Sequence, residues 1–250
     1  MTSATTGTTH PNSVGELPLQ GGAYDREMSP TASYDEIADW YEHEFLAQSR
    51  GLPEHPLGID RALRALLGTG SGPCLEIGCG TGEWAALVRD LGRDPFGVDL
   101  SPRMLFYAER RLPVACADAT RLPFASSTVP AVITVMAHTD MPCYPDVLRE
   151  AARVLRPGGV FVHVGVHPCF CGGFADRSDP SAVIIRPGYL DSNWTTESWT
   201  HNGVRDKVGA SHWPLPALIH ALLDAGLVLE HLLEGGEPVP TVLAIRARKN

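Results

Sequence analysis

Lysine is almost absent from this chain. Lys207 and Lys249 are the only two among 20 basic residues, set against 29 acidic ones for a net charge of −9. No cluster of arginines interrupts that balance, so a phosphate backbone would be repelled and nucleic acid is not an expected partner. Long hydrophobic runs are missing too. The best candidate, Ala131 to Ala137, falls far short of the ~18 apolar residues that cross a bilayer and is followed by His138, so no membrane partner is expected. The six cysteines, at 74, 79, 116, 143, 169 and 171, lack the spacing of a disulfide framework. The stretch MTSATTGTTHPNS has neither a basic nor an apolar region, so no secretory signal is expected and the expected location is the cytoplasm.

What is there is an ordinary globular composition, 44% hydrophobic and 20% charged over 250 residues. Residues 1–30 are rich in Thr, Ser, Gly and Pro and bury too little to offset ordering entropy, so they are expected to form a flexible tail. Residues 31–250 are expected to form one domain. Its first part, 31–70, reads as helical: Ser33 with Glu36 suggests a capping box, and Tyr34, Ile37, Ala38, Tyr41 and Phe45 recur at helical spacing. A second helix runs from Ile59 to Leu67. From Cys74 onward short strands alternate with helices: strands at 74–77, 96–99, 114–117, 130–136 and 160–166, with helices between. Ser101 and Pro102 start one of these helices, and Pro157-Gly158-Gly159 is expected to stop another. A final helix at 215–225 and strands at 227–233 and 241–247 complete the chain. This alternation predicts an α/β fold with a parallel, doubly wound sheet of seven strands, the last antiparallel.

The first strand leads into Gly78-Cys79-Gly80-Thr81-Gly82 at a helix start, a turn where bare backbone lets a ligand approach. The G-x-G-x-G spacing, followed by Glu83, differs from the G-x-G-x-x-G dinucleotide fingerprint and disfavours a nicotinamide oxidoreductase. Asp99 ends the second strand, where a carboxylate either accepts both ribose hydroxyls or caps the next helix. Asp118 ends the third, where it could accept an adenine amino proton while the Ala119 N–H reads a ring nitrogen.

Taken together, Glu76-Ile-Gly-Cys-Gly-Thr-Gly, Gly97-Val-Asp99-Leu-Ser, Ala117-Asp118-Ala119 with Leu122-Pro123-Phe124, and Arg153-Val-Leu-Arg-Pro-Gly-Gly159 resemble the motifs of the class I S-adenosylmethionine-dependent methyltransferases. The resemblance covers roughly residues 70–166. It implies a Rossmann-like fold with an N-terminal helical cover and an insert after the fifth strand. It also implies S-adenosyl-L-methionine as cofactor and S-adenosyl-L-homocysteine as product. Gly78, Cys79 and Gly80, with Gly82 in the same loop, would line the methionine end, and Glu76 would orient the loop. Asp99 would hold the ribose, Leu100 and Met104 would flank the adenine, and Asp118 and Ala119 would read its edge. Met136 would face the methionine part. Tyr34 either closes over the cofactor or packs as a helix-face aromatic.

The acceptor should lie beyond the strand C-termini. His138, His167 and His212 all fall near that edge and are candidate general bases, each with an ordinary structural role as the alternative. Tyr34, Tyr41 and Asp140 are the reserve bases. The irregular segment 167–213 holds Trp194, Trp199 and Trp213 among other aromatics and suits a lid over a substrate; Tyr41 and Trp199 are the candidate substrate contacts. His167-x-Cys169-x-Cys171 lacks a fourth ligand, and no metal is expected. The expected activity is methyl transfer to oxygen or nitrogen of a small, natural-product-like molecule. A fold that binds S-adenosylmethionine but catalyses a different reaction, such as a cyclisation, is the alternative. The oligomeric state is open, a homodimer included.

Overall fold

The computed structural model describes residues 33–179, 181–197, 203–237 and 239–250. The expected tail, 1–30, and Trp199 lie outside the described residues. Seven strands make one sheet: β1 (Pro73–Ile77), β2 (Asp94–Asp99), β3 (Val114–Cys116), β4 (Val129–Val135), β5 (Leu155–Val166), β6 (Leu227–Gly235) and β7 (Val242–Lys249). Their order is β3-β2-β1-β4-β5-β7-β6. β1 to β5 are parallel, and β7 runs antiparallel between β5 and β6. This is the expected doubly wound sheet with its antiparallel last strand. The order reverses between β1 and β4, and that switch point opens a crevice at the strand C-termini.

Two apolar layers sandwich the sheet. On one face α4 (Tyr144–Val154) and α6 (Leu215–Asp224) pack Val147, Leu148, Leu218 and Leu222 against Leu75, Ile77, Val132 and Phe161. On the other, α1 (Ile59–Leu67) and α2 (Ala85–Asp90) pack Leu63, Leu67 and Val88 against Ala131, Ile133, Val135 and Val162. β4 is therefore buried along its whole length, as its run of apolar residues with one Thr anticipates. α3 (Pro102–Ala108) flanks β2, with Pro102 at its start and the Ser101 hydroxyl accepting from Met104 N at 3.1 Å.

Three expectations change. The segment after Tyr34 is helical but irregular: a 3₁₀ turn Ser33–Glu36, a single α turn Ala38–Trp40, a π turn Tyr41–Phe45 and a second 3₁₀ turn Leu46–Gln48. Ser33 lies inside the first turn and does not cap it. The carboxylates of this segment are engaged outward, Asp35 with Ser101 and Asp39 with Tyr107. Second, α4 ends at Val154, before Pro157, because Leu155 is already extended and pairs with Val129, so β5 begins five residues early. Third, the 167–213 insert has structure of its own: a ribbon pairing Ala175–Asp176 with Ile184–Ile185, a bridge between Thr195 and Ala210, and α5 (Val204–Val208). Among the described residues no helix is long and apolar enough to cross a membrane.

Candidate active site

The β1–α2 loop is built for close approach. Gly78 and Gly80 adopt φ of +71° and +52°, a region side chains disfavour. A Cβ on Gly78 would lie 2.8 Å from both the Ala137 Cβ and the Met141 Cε. Gly78 N and Cys79 N donate to Val98 O at 2.9 and 3.0 Å, tying the loop to β2. From the end of β2, Asp99 accepts from Gly80 N at 2.8 Å through Oδ2 and from Ser101 N at 2.9 Å through Oδ1. Helix capping falls to Ser101, so the carboxylate of Asp99 braces the loop and keeps lone pairs facing the crevice. Burial pushes its pKa up. Glu76 lies beneath the loop, 2% exposed, with Oε2 unpartnered. Burial, then the charges of Asp99 and Glu83, push Glu76 up to about 8.

These groups border a cavity of about 1800 Å³. Single-ligand pockets are typically ~300–1,000 Å³, so the space holds a nucleoside-sized molecule and a second one beside it. Tyr34, Tyr41, Glu76, Gly78, Cys79, Gly80, Asp99, Leu100, Met104, Asp118, Ala119 and Met136 all line it. Asp118 uses Oδ1 to accept from Thr120 N and Oγ1, both at 2.8 Å, leaving Oδ2 for a ligand. Met136 has φ +54°, a strained conformation for a side-chain-bearing residue at the tip of β4. Gly82 is the exception. It does not line the cavity, and its missing side chain makes room for Leu112, whose Cδ2 would be 2.5 Å from a Cβ. Its role is packing against the residues after α3.

The N-terminal segment closes one side. Tyr34 and Tyr41 meet edge to face at 5.8 Å, and Tyr41 stacks on Phe45. Three carboxylates dock the segment. Asp35 accepts from Ser101 Oγ at 2.5 Å and Arg103 N at 3.2 Å; Asp39 meets Arg103 and Tyr107. Glu42 sits between Arg50, at 2.8 Å, and Arg111, at 2.5 Å, while Arg50 also reaches Glu83 on the cavity wall at 2.5 Å. Burial alone would raise the Glu42 carboxyl, but the two arginines outweigh it and hold it at about 2.

The three candidate histidines are not on the wall. After Met136 the backbone turns through a 3₁₀ turn, His138–Asp140, which presents Thr139 and Asp140 to the cavity and sends His138 inward. His138 is 2% exposed, its ring 4.7 Å from His163 and against Gly165. Burial, then the charges of His163, Arg205 and His212, hold its pKa well below the ordinary value. His167 is buried, with Nε2 2.8 Å from Glu234 and Nδ1 accepting from Cys169 N. His212 packs between Phe174 and Tyr189, and burial lowers it to about 4. A histidine that does line the cavity, His55, lies in the irregular stretch before α1 beside Trp84.

Sequence reasoning ranked Asp140 only as a reserve and missed Arg205. Tyr34 donates to Asp140 Oδ2 at 3.1 Å. Burial lifts Asp140 to about 7, against the opposing pull of Tyr34 and Arg205. Arg205 and Trp194, both from the insert, also line the cavity. Gly203, Val204, Val208, Gly209 and Ala210 of the insert line it as well, while Trp199 is outside the described residues.

Residues 75–163 match the methyltransferase domain family. A probable phthiotriol/phenolphthiotriol dimycocerosates methyltransferase 2 of Mycobacterium ulcerans is 36% identical over 102 residues, 38% of this chain and 40% of that protein. The first curated relatives are spanned over only 18% to 51% of their lengths. Among solved structures, an S-adenosylmethionine dependent methyltransferase from Mesorhizobium loti superposes with a TM-score of 0.64 at 22% identity, over 76% of this chain and 96% of that one. The [4+2]-cyclase SpnF superposes with 0.61 at 15% identity, over 88% and 96%. At these identities the superpositions speak for the fold. Residues 75–163 thus carry a match to the methyltransferase domain family, and the glycine loop, strand-end acids and sheet order around them are similar to those of the class I S-adenosylmethionine-dependent methyltransferases.

Proposed function

We propose that the protein transfers a methyl group from S-adenosylmethionine to an oxygen or nitrogen of a small molecule. The observation that carries this is one cavity, about 1800 Å³, lined together by the glycine loop, Glu76 and Asp99 and by Tyr34, Tyr41, Asp140 and residues of the insert. The residues fit the cofactor. Gly78 leaves space that a Cβ would fill, Glu76 holds an unpartnered acceptor atom, and Asp99 and Asp118 offer acceptors in line along the strand ends.

When bound, S-adenosylmethionine would supply a methyl group activated by a sulfonium, with the neutral thioether of S-adenosylhomocysteine as the leaving group for an acceptor lone pair. The chain's own part is alignment, exclusion of water and removal of the acceptor proton. The N-terminal segment and the insert cover the cavity, and alignment in such a space supplies much of a displacement rate. Asp140 is the proposed proton acceptor: it is on the wall, near neutrality in pKa, and held by the Tyr34 hydroxyl. His138, His167 and His212 serve as packed, neutral or paired side chains in this reading.

The test is calorimetry with S-adenosylhomocysteine and NAD, followed by labelled methyl transfer to a panel of phenols, alcohols, amines and acids. Binding of S-adenosylhomocysteine without NAD, with label in a product, supports the reading. Binding of NAD alone overturns it, and cofactor binding with acceptor turnover but no label transferred points to the cyclisation-type alternative.

A further inference from the structure

Among the described residues Arg205 is a buried cation with no carboxylate in bonding contact, and Asp140 acts on it only through the field. It is 9% exposed, on the cavity wall, on the short helix α5 of the insert. Among the described residues its guanidinium makes no hydrogen bond or ion pair, whereas Arg50, Arg103, Arg111, Arg153, Arg246 and Arg248 are all bonded to carboxylates. An unpaired buried charge is costly, and the fold holds this one in place. Asp206 accepts from Gly203 N at 3.0 Å, fixing the start of α5; Lys207 lies 4.5 Å over the Trp40 ring, tying α5 to the N-terminal segment; and Trp194 fills the space above Gly209. A guanidinium fixed at the wall of an apolar-rich cavity is suited to a planar oxyanion, which it can bind through two parallel N–H bonds.

We propose that Arg205 recognises a carboxylate on the methyl acceptor, which makes the acceptor an apolar organic acid with its hydroxyl or amine turned toward Asp140. The inference rests on the methyltransferase reading and adds the substrate class to it. The cofactor also carries a carboxylate, on its methionine end, so the test reads acid recognition and cofactor affinity separately. Asp140, also on the cavity wall, acts on Arg205 through its charge.

The experiment measures binding of cinnamate, 2-naphthoate and decanoate, each against its primary amide, to the protein saturated with S-adenosylhomocysteine. The proteins are the wild type, Arg205→Gln and Arg205→Lys. The expected result is an acid-over-amide preference of at least tenfold in the wild type, abolished in Arg205→Gln and partly kept in Arg205→Lys. S-adenosylhomocysteine affinity should stay within threefold throughout. Because the substitution removes an unpaired buried charge, Arg205→Gln should melt no lower than the wild type, which separates recognition from a structural role. Equal or absent binding of acids and amides by the wild type overturns the proposal. So does a tenfold loss of S-adenosylhomocysteine affinity in Arg205→Gln, which assigns the arginine to the cofactor. Failure of the wild type to bind S-adenosylhomocysteine is a separate outcome that removes the methyltransferase reading itself, and with it this proposal.

Discussion

Replacing Glu42 by Gln tests whether the N-terminal segment is part of the site or decoration. Glu42 is the hinge of a chain of contacts, Arg111–Glu42–Arg50–Glu83, that runs from α3's flank to the cavity wall. Its carboxyl is 7% exposed and held at about 2 against an ordinary 4.5, a difference equivalent to about 3 kcal/mol. The arginines are 29% and 32% exposed, so solvent takes back part of this; about 2–3 kcal/mol is the reasonable cost of Glu42→Gln. If the segment unfolds with the domain, the melting temperature should fall by about 4–12 °C. If it undocks alone, the loss appears instead as weaker S-adenosylhomocysteine binding, by roughly tenfold per 1.4 kcal/mol, because Tyr34 and Tyr41 leave the wall. The pH dependence has a definite sign. A depressed carboxyl contributes its full stability above about pH 4.5 and loses it as pH falls toward 2, so the gap between variant and wild type should close across that window. Differential scanning calorimetry and titration calorimetry read both effects. A variant that melts within 1 °C of the wild type and binds S-adenosylhomocysteine within twofold refutes the argument.

Asp99→Ala removes the brace on Gly80 N and the proposed ribose acceptor together; S-adenosylhomocysteine affinity should drop by about 10- to 100-fold, corresponding to ~1.5–3 kcal/mol, in a variant whose circular dichroism is unchanged. Gly78→Ala should weaken the same titration at least as much, because its methyl meets Ala137 and φ is +71°; unchanged affinity would mean the loop is not where the ligand lies. For Asp140→Asn, single-turnover transfer should slow by ~10²–10⁴-fold. The wild-type rate should rise with pH to a plateau above about 7, as Asp140 ionises, and the variant should lack that limb; a native rate in the variant places the base elsewhere.

The fold was legible because its signals are local. β4 is apolar throughout as it must be at the centre of a parallel sheet, and Ser101-Pro102 starts α3 in the structure as in the sequence. The cavity wall at the strand ends was legible for a related reason: Gly78, Gly80, Asp99 and Asp118 follow consecutive strands, so their order along the chain is their order along the crevice. Gly82 shows the limit of that argument, since a glycine can serve a ligand or a packed leucine, and only the position of Leu112 separates the two.

The acceptor side failed for a different reason. Position along the chain places a residue at a sheet edge, but not the direction of its side chain, and in a tight turn neighbours point opposite ways. His138 and Asp140 are two residues apart on one 3₁₀ turn, yet the first lies under the sheet edge and the second on the cavity wall. The positive φ of Met136 sets that turn, and nothing in the identity of a methionine announces it. Reading histidine as the natural base favours the neighbour that the turn buries, and burial alters the chemistry of the two in opposite senses. It drives an imidazole toward permanent neutrality and lifts a carboxyl toward the neutral range. Asp140 thereby acquires the poise that an exposed histidine would have had. Arg205 was equally silent, as one of 18 arginines in the chain. What distinguishes it is burial on the cavity wall with no carboxylate partner among the described residues, a property of the assembled cavity and not of any stretch of sequence.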